Sequence, residues 1–285
     1  MPLEIVPIEP AFAGEAAGID VTKPLSASEI AAIEAGMDRH AVLVFRNQRV
    51  DDDTQRAFSR QFGPLEAAAG GHVTALQERR LPLDMQDASN LDQHQRVLDR
   101  NDRKRMFNLG NRLWHSDSSY RTVPAKYSIL SGRVVVDRGG HTEFADMRAA
   151  YDALDSATKA EIADLVCEHS LMFSRGLLGF TELTEAERAM FAPVRQPLVR
   201  THPVTGRKSL FLSAHGGTIV GWPVPEARAF LRDLAEHATQ KRFTYSHKWR
   251  PFDLVMWDNR TTMHRVTRFD ERQVRDLRRT TVAGP

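Results

Sequence analysis

A series of short apolar runs in the second half of the chain most constrains its fold. Each is rich in β-branched and aromatic residues and is bounded by turn formers. AKYSILSGRVVV (125–136), PLVRT (197–201), KSLFLS (208–213), RFTYSHKW (242–249) and DLVMW (253–257) all read as strands. TGRK (205–208) fits a hairpin turn between two of them, because the full glycine-rich pattern of a phosphate loop is missing. Helical patterns fall between the strands, near 147–165 and in PEARAFLRDLAEHA (225–238). Many strands at short spacing with helices inserted predict a mainly β fold, a sandwich or barrel with helical decoration.

The first third alternates helix and strand signals. Ser26 and Glu29 form a capping-box pair, and Ile30, Ile33 and Met37 follow at helical spacing. AVLVF (41–45) reads as a strand, and DDDTQRAFSRQFG (51–63) starts acidic and ends in glycine as a helix does. Residues 66–104 have little periodicity, which suits either a solvated loop or a lid over a site. No fixed-period repeat divides the 285 residues, and a single domain over 1–285 is expected.

Composition removes several function classes. With 39 basic against 37 acidic residues, there is no excess of positive charge for a dedicated nucleic-acid binder. One cysteine, Cys167, permits no internal disulfide and no all-cysteine metal cage. No run approaches the roughly 18 apolar residues that span a membrane. The opening MPLEIVPIEP lacks the basic start and apolar core of a signal peptide, so a soluble, cytoplasmic protein is expected.

The stretch WHSDSSY (114–120) raises the question of metal binding. If 112–118 is a strand, His115 and Asp117 project from one face. A third ligand must come from elsewhere, and His264 in MWDNRTTMHRV, after an apolar strand and a turn-like Asp258-Asn259, is the best candidate. Two histidines and a carboxylate on one face of a metal, with the other positions open, suit a non-haem Fe(II) oxygenase. Six arginines lie between 265 and 279. In VRDLRRT, strand alternation puts Arg275, Leu277 and Arg279 on one face and Arg278 on the other. An arginine pair facing a pocket suits two carboxylates, which planar forks clamp, but composition alone favours an exposed basic strand. His215 in SAHGG has no partner spacing to make it a ligand, and HKW (247–249) reads as ordinary strand.

Taken in order, His115-x-Asp117, Thr142 in GGHT, His264 and Arg275 resemble the spaced motif of the TauD/TfdA family of Fe(II)/2-oxoglutarate-dependent dioxygenases. AVLVFRNQ, FSRQFGPLE, FADMRAAYDAL, LVRTHPVTGRKSLF and DLVMWDNR extend the likeness over nearly the whole chain, which is most similar to the aryloxyalkanoate dioxygenases of that family. The resemblance implies a double-stranded β-helix, or jelly roll. It implies Fe(II) on His115, Asp117 and His264. It implies 2-oxoglutarate held by Arg275 and the Thr142 hydroxyl beside Trp257, with O2 as co-reactant. Arg279 then faces an acidic substrate, and Asn111 lies near that substrate. His72, in 66–104, is a candidate substrate contact, though a solvated loop histidine is the plainer reading. The implied reaction is hydroxylation of an aryloxyalkanoate such as 2,4-dichlorophenoxyacetate, whose ether then breaks to a phenol and glyoxylate. A taurine-like sulfonate or another small carboxylate is the alternative substrate, and a homo-oligomer is expected. The chain departs from the family in having His141 where GGDT is common, and Phe252 where a glycine often precedes Asp-Leu.

Overall fold

A computed structural model describes residues 3–8, 12–68 and 78–284. Its frame is a seven-stranded sheet in the order Glu4–Ile8, Ala13–Ala17, Val42–Phe45, Leu254–Asp258, Ala125–Val134, Asp276–Ala283 and Gln86–Asp87. The central strand Leu254–Asp258 is buried at every residue, and its alternation shows how the layers assemble. Val255 and Trp257 face inward against Phe144 and Tyr245, which belong to a smaller sheet formed by Thr244–His247, Thr142–Asp146 and Thr262–Val266. Leu254 and Met256 face outward, onto Ile33, Met37 and Phe58 of two covering helices. The two β layers packed face to face make a jelly roll with inserted helices.

The covering helices, Ala27–His40 and Asp52–Arg60, begin where side chains can cap them. Ser26 and Glu29 make the reciprocal capping box, and the Asp51 carboxylate accepts from Thr54 N at 2.8 Å. On the far face of the small sheet, Ala145 and Met263 pack with Leu210, Leu212 and the helix Val224–Ala238. The helical pattern near 147–165 is two helices, Met147–Asp152 and Ser156–Ile162, because Asp155 caps a new start. TGRK does join an antiparallel hairpin, between Val199–Thr201 and Lys208–Leu210.

Two expectations need correction. Residues 112–118 are not a strand: a 3-10 helix, Leu109–Arg112, runs into extended chain that makes one ladder bridge, at His115, among the described residues. The segment 78–104 is not merely solvated loop. Gln86–Asp87 pairs with Arg279 and Arg278 at the sheet edge, and Arg80 bonds both Asp87 and Asp276, at 3.0 and 2.9 Å. Lys104 adds a contact to Asp87 at 2.9 Å. His72 lies outside the described residues. No helix among the described residues is long and apolar enough to cross a membrane.

Candidate metal and cosubstrate site

His115 and His264 sit opposite each other in an antiparallel bridge. His115 N donates to His264 O at 3.0 Å, and His264 N to His115 O at 2.8 Å. Their rings are 4.2 Å apart between centroids. Asp117 Oδ1 lies 3.8 Å from His115 Nε2, and Asp117 Oδ2 lies 3.6 Å from His264 Nε2. One ligand atom from each of the three residues lies within 4.8 Å of the others, and all three side chains are buried.

The surroundings prepare these groups to bind a cation. Leu113 O is 2.7 Å from His115 Nδ1, so that nitrogen donates and Nε2 keeps its lone pair. Burial pushes both imidazoles below their ordinary range, which leaves them neutral. Burial alone would raise the Asp117 carboxyl. The Arg279 guanidinium and the hydrogen bond from the Ser128 hydroxyl outweigh it and hold the carboxyl at about 2. Two neutral nitrogens and one anionic oxygen, converging with no strong partner for the histidine Nε2 atoms, fit a divalent metal of the Fe(II) type.

Asp117 is itself positioned by residues that sequence reading missed. Ser128 Oγ donates to Asp117 Oδ2 at 2.7 Å. Asn259 Nδ2 donates to Ser128 Oγ at 3.0 Å, while Asn259 Oδ1 accepts from Asp117 N at 3.2 Å and from Trp257 Nε1 at 3.0 Å. The available signal was Ser128, a small polar residue at an inward position of a largely buried strand. His215 was also undervalued: its ring is 5.7 Å from that of His115, and its Nδ1 pairs with Ser174 Oγ at 2.9 Å.

Arg275 is buried just before the strand Asp276–Ala283. It donates to Ala88 O and Gly140 O at 3.1 and 3.2 Å, and it pairs with no carboxylate among the described residues. Burial lowers it to about 10, which still leaves it charged at neutral pH. The guanidinium lines a cavity of about 160 Å³ with Gly140 and Trp249. It also lines a cleft of about 60 Å³ with Asn111 and Phe269. A buried cation without a counter-ion is costly, and a dicarboxylate's far end would satisfy it. Gly140 has φ +62, and a Cβ there would come within 2.9 Å of Val136 and 3.3 Å of Arg275 Nε. The second glycine of GGHT therefore keeps the guanidinium in place.

Thr142 Oγ1 accepts from Trp249 Nε1 at 3.0 Å, so its own hydroxyl proton is free to donate. Trp249 was read as ordinary strand, yet it lies past the end of Thr244–His247 and walls the cavity. Trp257 stands behind His264, fully buried with ring centroids 4.7 Å apart, rather than on the wall of either space beside Arg275. The alternation of VRDLRRT holds. Leu277 faces the interior, Arg278 turns out to Asp52, and Arg279 turns in. Arg279 does not wait free for a ligand, however: its Nη1 contacts Asp117 Oδ1 at 2.5 Å, while its buried Nε lacks a partner among the described residues.

Residues 4–281 match the family model for taurine catabolism dioxygenase TauD, TfdA family. The chain is 47% identical over 277 residues to an alpha-ketoglutarate-dependent 2,4-dichlorophenoxyacetate dioxygenase of Cupriavidus pinatubonensis, covering 96% of each. It is 36% identical over 288 residues to an (S)-phenoxypropionate/alpha-ketoglutarate dioxygenase of Sphingobium herbicidovorans, covering 99% of this chain and 95% of that one. The crystal structure of AAD-2 in complex with Mn(II) and N-oxalylglycine superposes with a TM-score of 0.97 at 57% identity, over 100% of this chain and 99% of the other. With buried two-histidine, one-aspartate geometry and these matches together, the chain belongs to the TauD/TfdA family of dioxygenases.

Proposed function

We propose that this Fe(II)/2-oxoglutarate-dependent dioxygenase hydroxylates an aryloxyalkanoate such as 2,4-dichlorophenoxyacetate at the carbon beside its ether oxygen. Support comes from relatives named for 2,4-dichlorophenoxyacetate and (S)-phenoxypropionate. The structural observation that carries the reading is the convergence of His115, Asp117 and His264, together with a chamber lined by Arg275, which has no carboxylate partner among the described residues. Bound iron, with O2 and 2-oxoglutarate, supplies the oxidation that places one oxygen atom in a substrate C–H bond and releases succinate and CO2.

The protein's residues bind, orient and exclude water. His115, Asp117 and His264 would hold the iron. Arg275 takes the far carboxylate of 2-oxoglutarate, and the Thr142 hydroxyl, oriented by Trp249, donates to it. Arg279 serves both carboxylates, that of Asp117 and that of the substrate, through separate nitrogens. Asn111, on the cleft wall with Arg275, limits where the substrate can lie; His72 is the further candidate for a substrate contact. No protein nucleophile is needed, because the hydroxylated carbon is a hemiacetal that collapses to phenol and glyoxylate.

Residues 1–285 act as one domain in this reading, with 66–104 as a lid. Ala88 and Asn90, within that segment, contact Arg275 directly. Self-association into a homo-oligomer is expected, and light scattering reads it. The test of substrate is succinate release with Fe(II), 2-oxoglutarate and O2, with and without 2,4-dichlorophenoxyacetate, following phenol in parallel. Matching stimulated succinate and phenol is the expected result. Stimulation by taurine instead would move the substrate to a sulfonate.

A further inference from the structure

A cavity of about 530 Å³ lies across the peptide wall from the metal site. Trp114 and Met263 line it, while their chain neighbours His115 and His264 face the metal site. Extended chain presents successive side chains to opposite sides, so the two spaces share a wall one backbone thick. The volume falls within the roughly 300–1,000 Å³ of small-molecule sites. Trp114, Phe173 and Phe211 give it flat aromatic walls.

Its interior holds one unsatisfied polar group. His169 is 1% exposed, and its Nδ1 pairs with Ser119 Oγ at 3.1 Å. Its Nε2 has no partner among the described residues. His169 itself lines the cavity, and a side chain on Gly216, another wall residue, would come within 3.5 Å of that nitrogen. Burial pushes His169 down to about 3, and the ring is neutral. Leaving such an atom unpaired is costly. The two arginines on the cavity lining, Arg228 and Arg232, are exposed and already engaged, with Gly217 O and Asp233 respectively.

We propose that this cavity is a second binding site, for an uncharged aromatic molecule of the phenol class whose hydroxyl hydrogen-bonds His169 Nε2. The flat walls take the ring. A carboxylate at that depth would be a buried charge facing a neutral imidazole, so the site discriminates against aryloxy acids. The binding site stands on the cavity itself. Only its role, holding released product beside the strand that carries His264, rests on the function proposed above.

The experiment is calorimetric titration of the full-length protein with 2,4-dichlorophenol, and separately with phenoxyacetate as competitor. Asp117→Ala disables the metal site, Ala235→Trp fills the cavity from the helix Val224–Ala238, and His169→Phe removes the hydrogen bond while keeping a flat ring. Phenol binding should persist in Asp117→Ala and resist phenoxyacetate. It should weaken at least about tenfold in His169→Phe, from loss of one buried hydrogen bond, and disappear in Ala235→Trp. Thermal melts of the variants confirm folding. The proposal is overturned if wild-type protein binds no phenol, if phenoxyacetate displaces it, or if Ala235→Trp binds it unchanged. A change of oligomeric mass in Ala235→Trp without phenol binding to wild type would show a second copy covering the cavity, and also overturns it. These titrations read equilibrium binding, so a failure of the catalytic reading appears separately, as absent succinate release.

Discussion

Asp117 has both carboxylate oxygens assigned, Ser128 to one and Arg279 to the other, while its backbone N–H is fixed by Asn259. Such outer partners orient a metal ligand and tune its affinity. Replacing Asn259 with alanine should lower metal affinity about 10–100-fold, measured by competition with a chromogenic chelator; an unchanged affinity would show that Asn259 only closes the turn. Arg275→Ala should weaken 2-oxoglutarate binding by about 2–5 kcal/mol, the usual cost of truncating one partner of a buried charge pair. Arg275→Lys should recover only part of this, because an ammonium cannot reproduce the planar fork. Cosubstrate titrations of both variants check it, and full recovery by lysine would show that charge alone matters. The ligand residues were legible because His-x-Asp and the later histidine are spaced types. Ser128 and Asn259 were not, because their role comes from meeting each other across the fold.

At the scale of elements, a short apolar run made Leu254–Asp258 readable, and period-2 alternation did so for the C-terminal strand. The stretch before Asp117 defeated the same reasoning, because its backbone pairs with a single residue, His264. Segment 78–104 was unreadable for a different reason. Its order depends on charge pairs with a strand nearly two hundred positions away, as between Arg80 and Asp276. The GGHT turn lies between these cases, since paired glycines signal a tight turn without saying what it encloses. Gly140→Ala must place a side chain in the left-handed region and against Val136 and Arg275. A loss of about 1–2 kcal/mol of stability is expected, with weaker 2-oxoglutarate binding. A lowered Tm with unchanged cosubstrate affinity would separate the turn from the arginine. Met256, fully buried under the helices, offers a control away from the site. Met256→Ala should cost about 2–5 kcal/mol of stability and leave cosubstrate affinity in the folded protein unchanged.

For the whole molecule, the concentration of buried neutral histidines sets a pH dependence. Burial pushes His115, His169, His215, His247 and His264 below their ordinary range, His169 to about 3. Unfolded chains regain an ordinary histidine near 6.5. Below that pH the unfolded state binds more protons than the folded one, so stability falls as pH falls. Metal-free protein should therefore lose stability progressively from about pH 6.5 downward, by up to about 1.4 kcal/mol per pH unit for each histidine. Denaturant unfolding between pH 7.5 and 4.5 checks the slope, and a flat profile would mean these rings are charged in the fold.

The central claim is that His115, Asp117 and His264 form one iron site whose cosubstrate reaches Arg275. Anaerobic titration with Fe(II) and 2-oxoglutarate, followed by the visible charge-transfer absorption of the chelate, tests it most directly. Wild-type protein should bind one iron per chain and develop the band. Asp117→Ala should lose it through metal binding, and Arg275→Ala should require far more 2-oxoglutarate to form it. An undiminished band in Asp117→Ala, at the same iron concentration, would contradict the account.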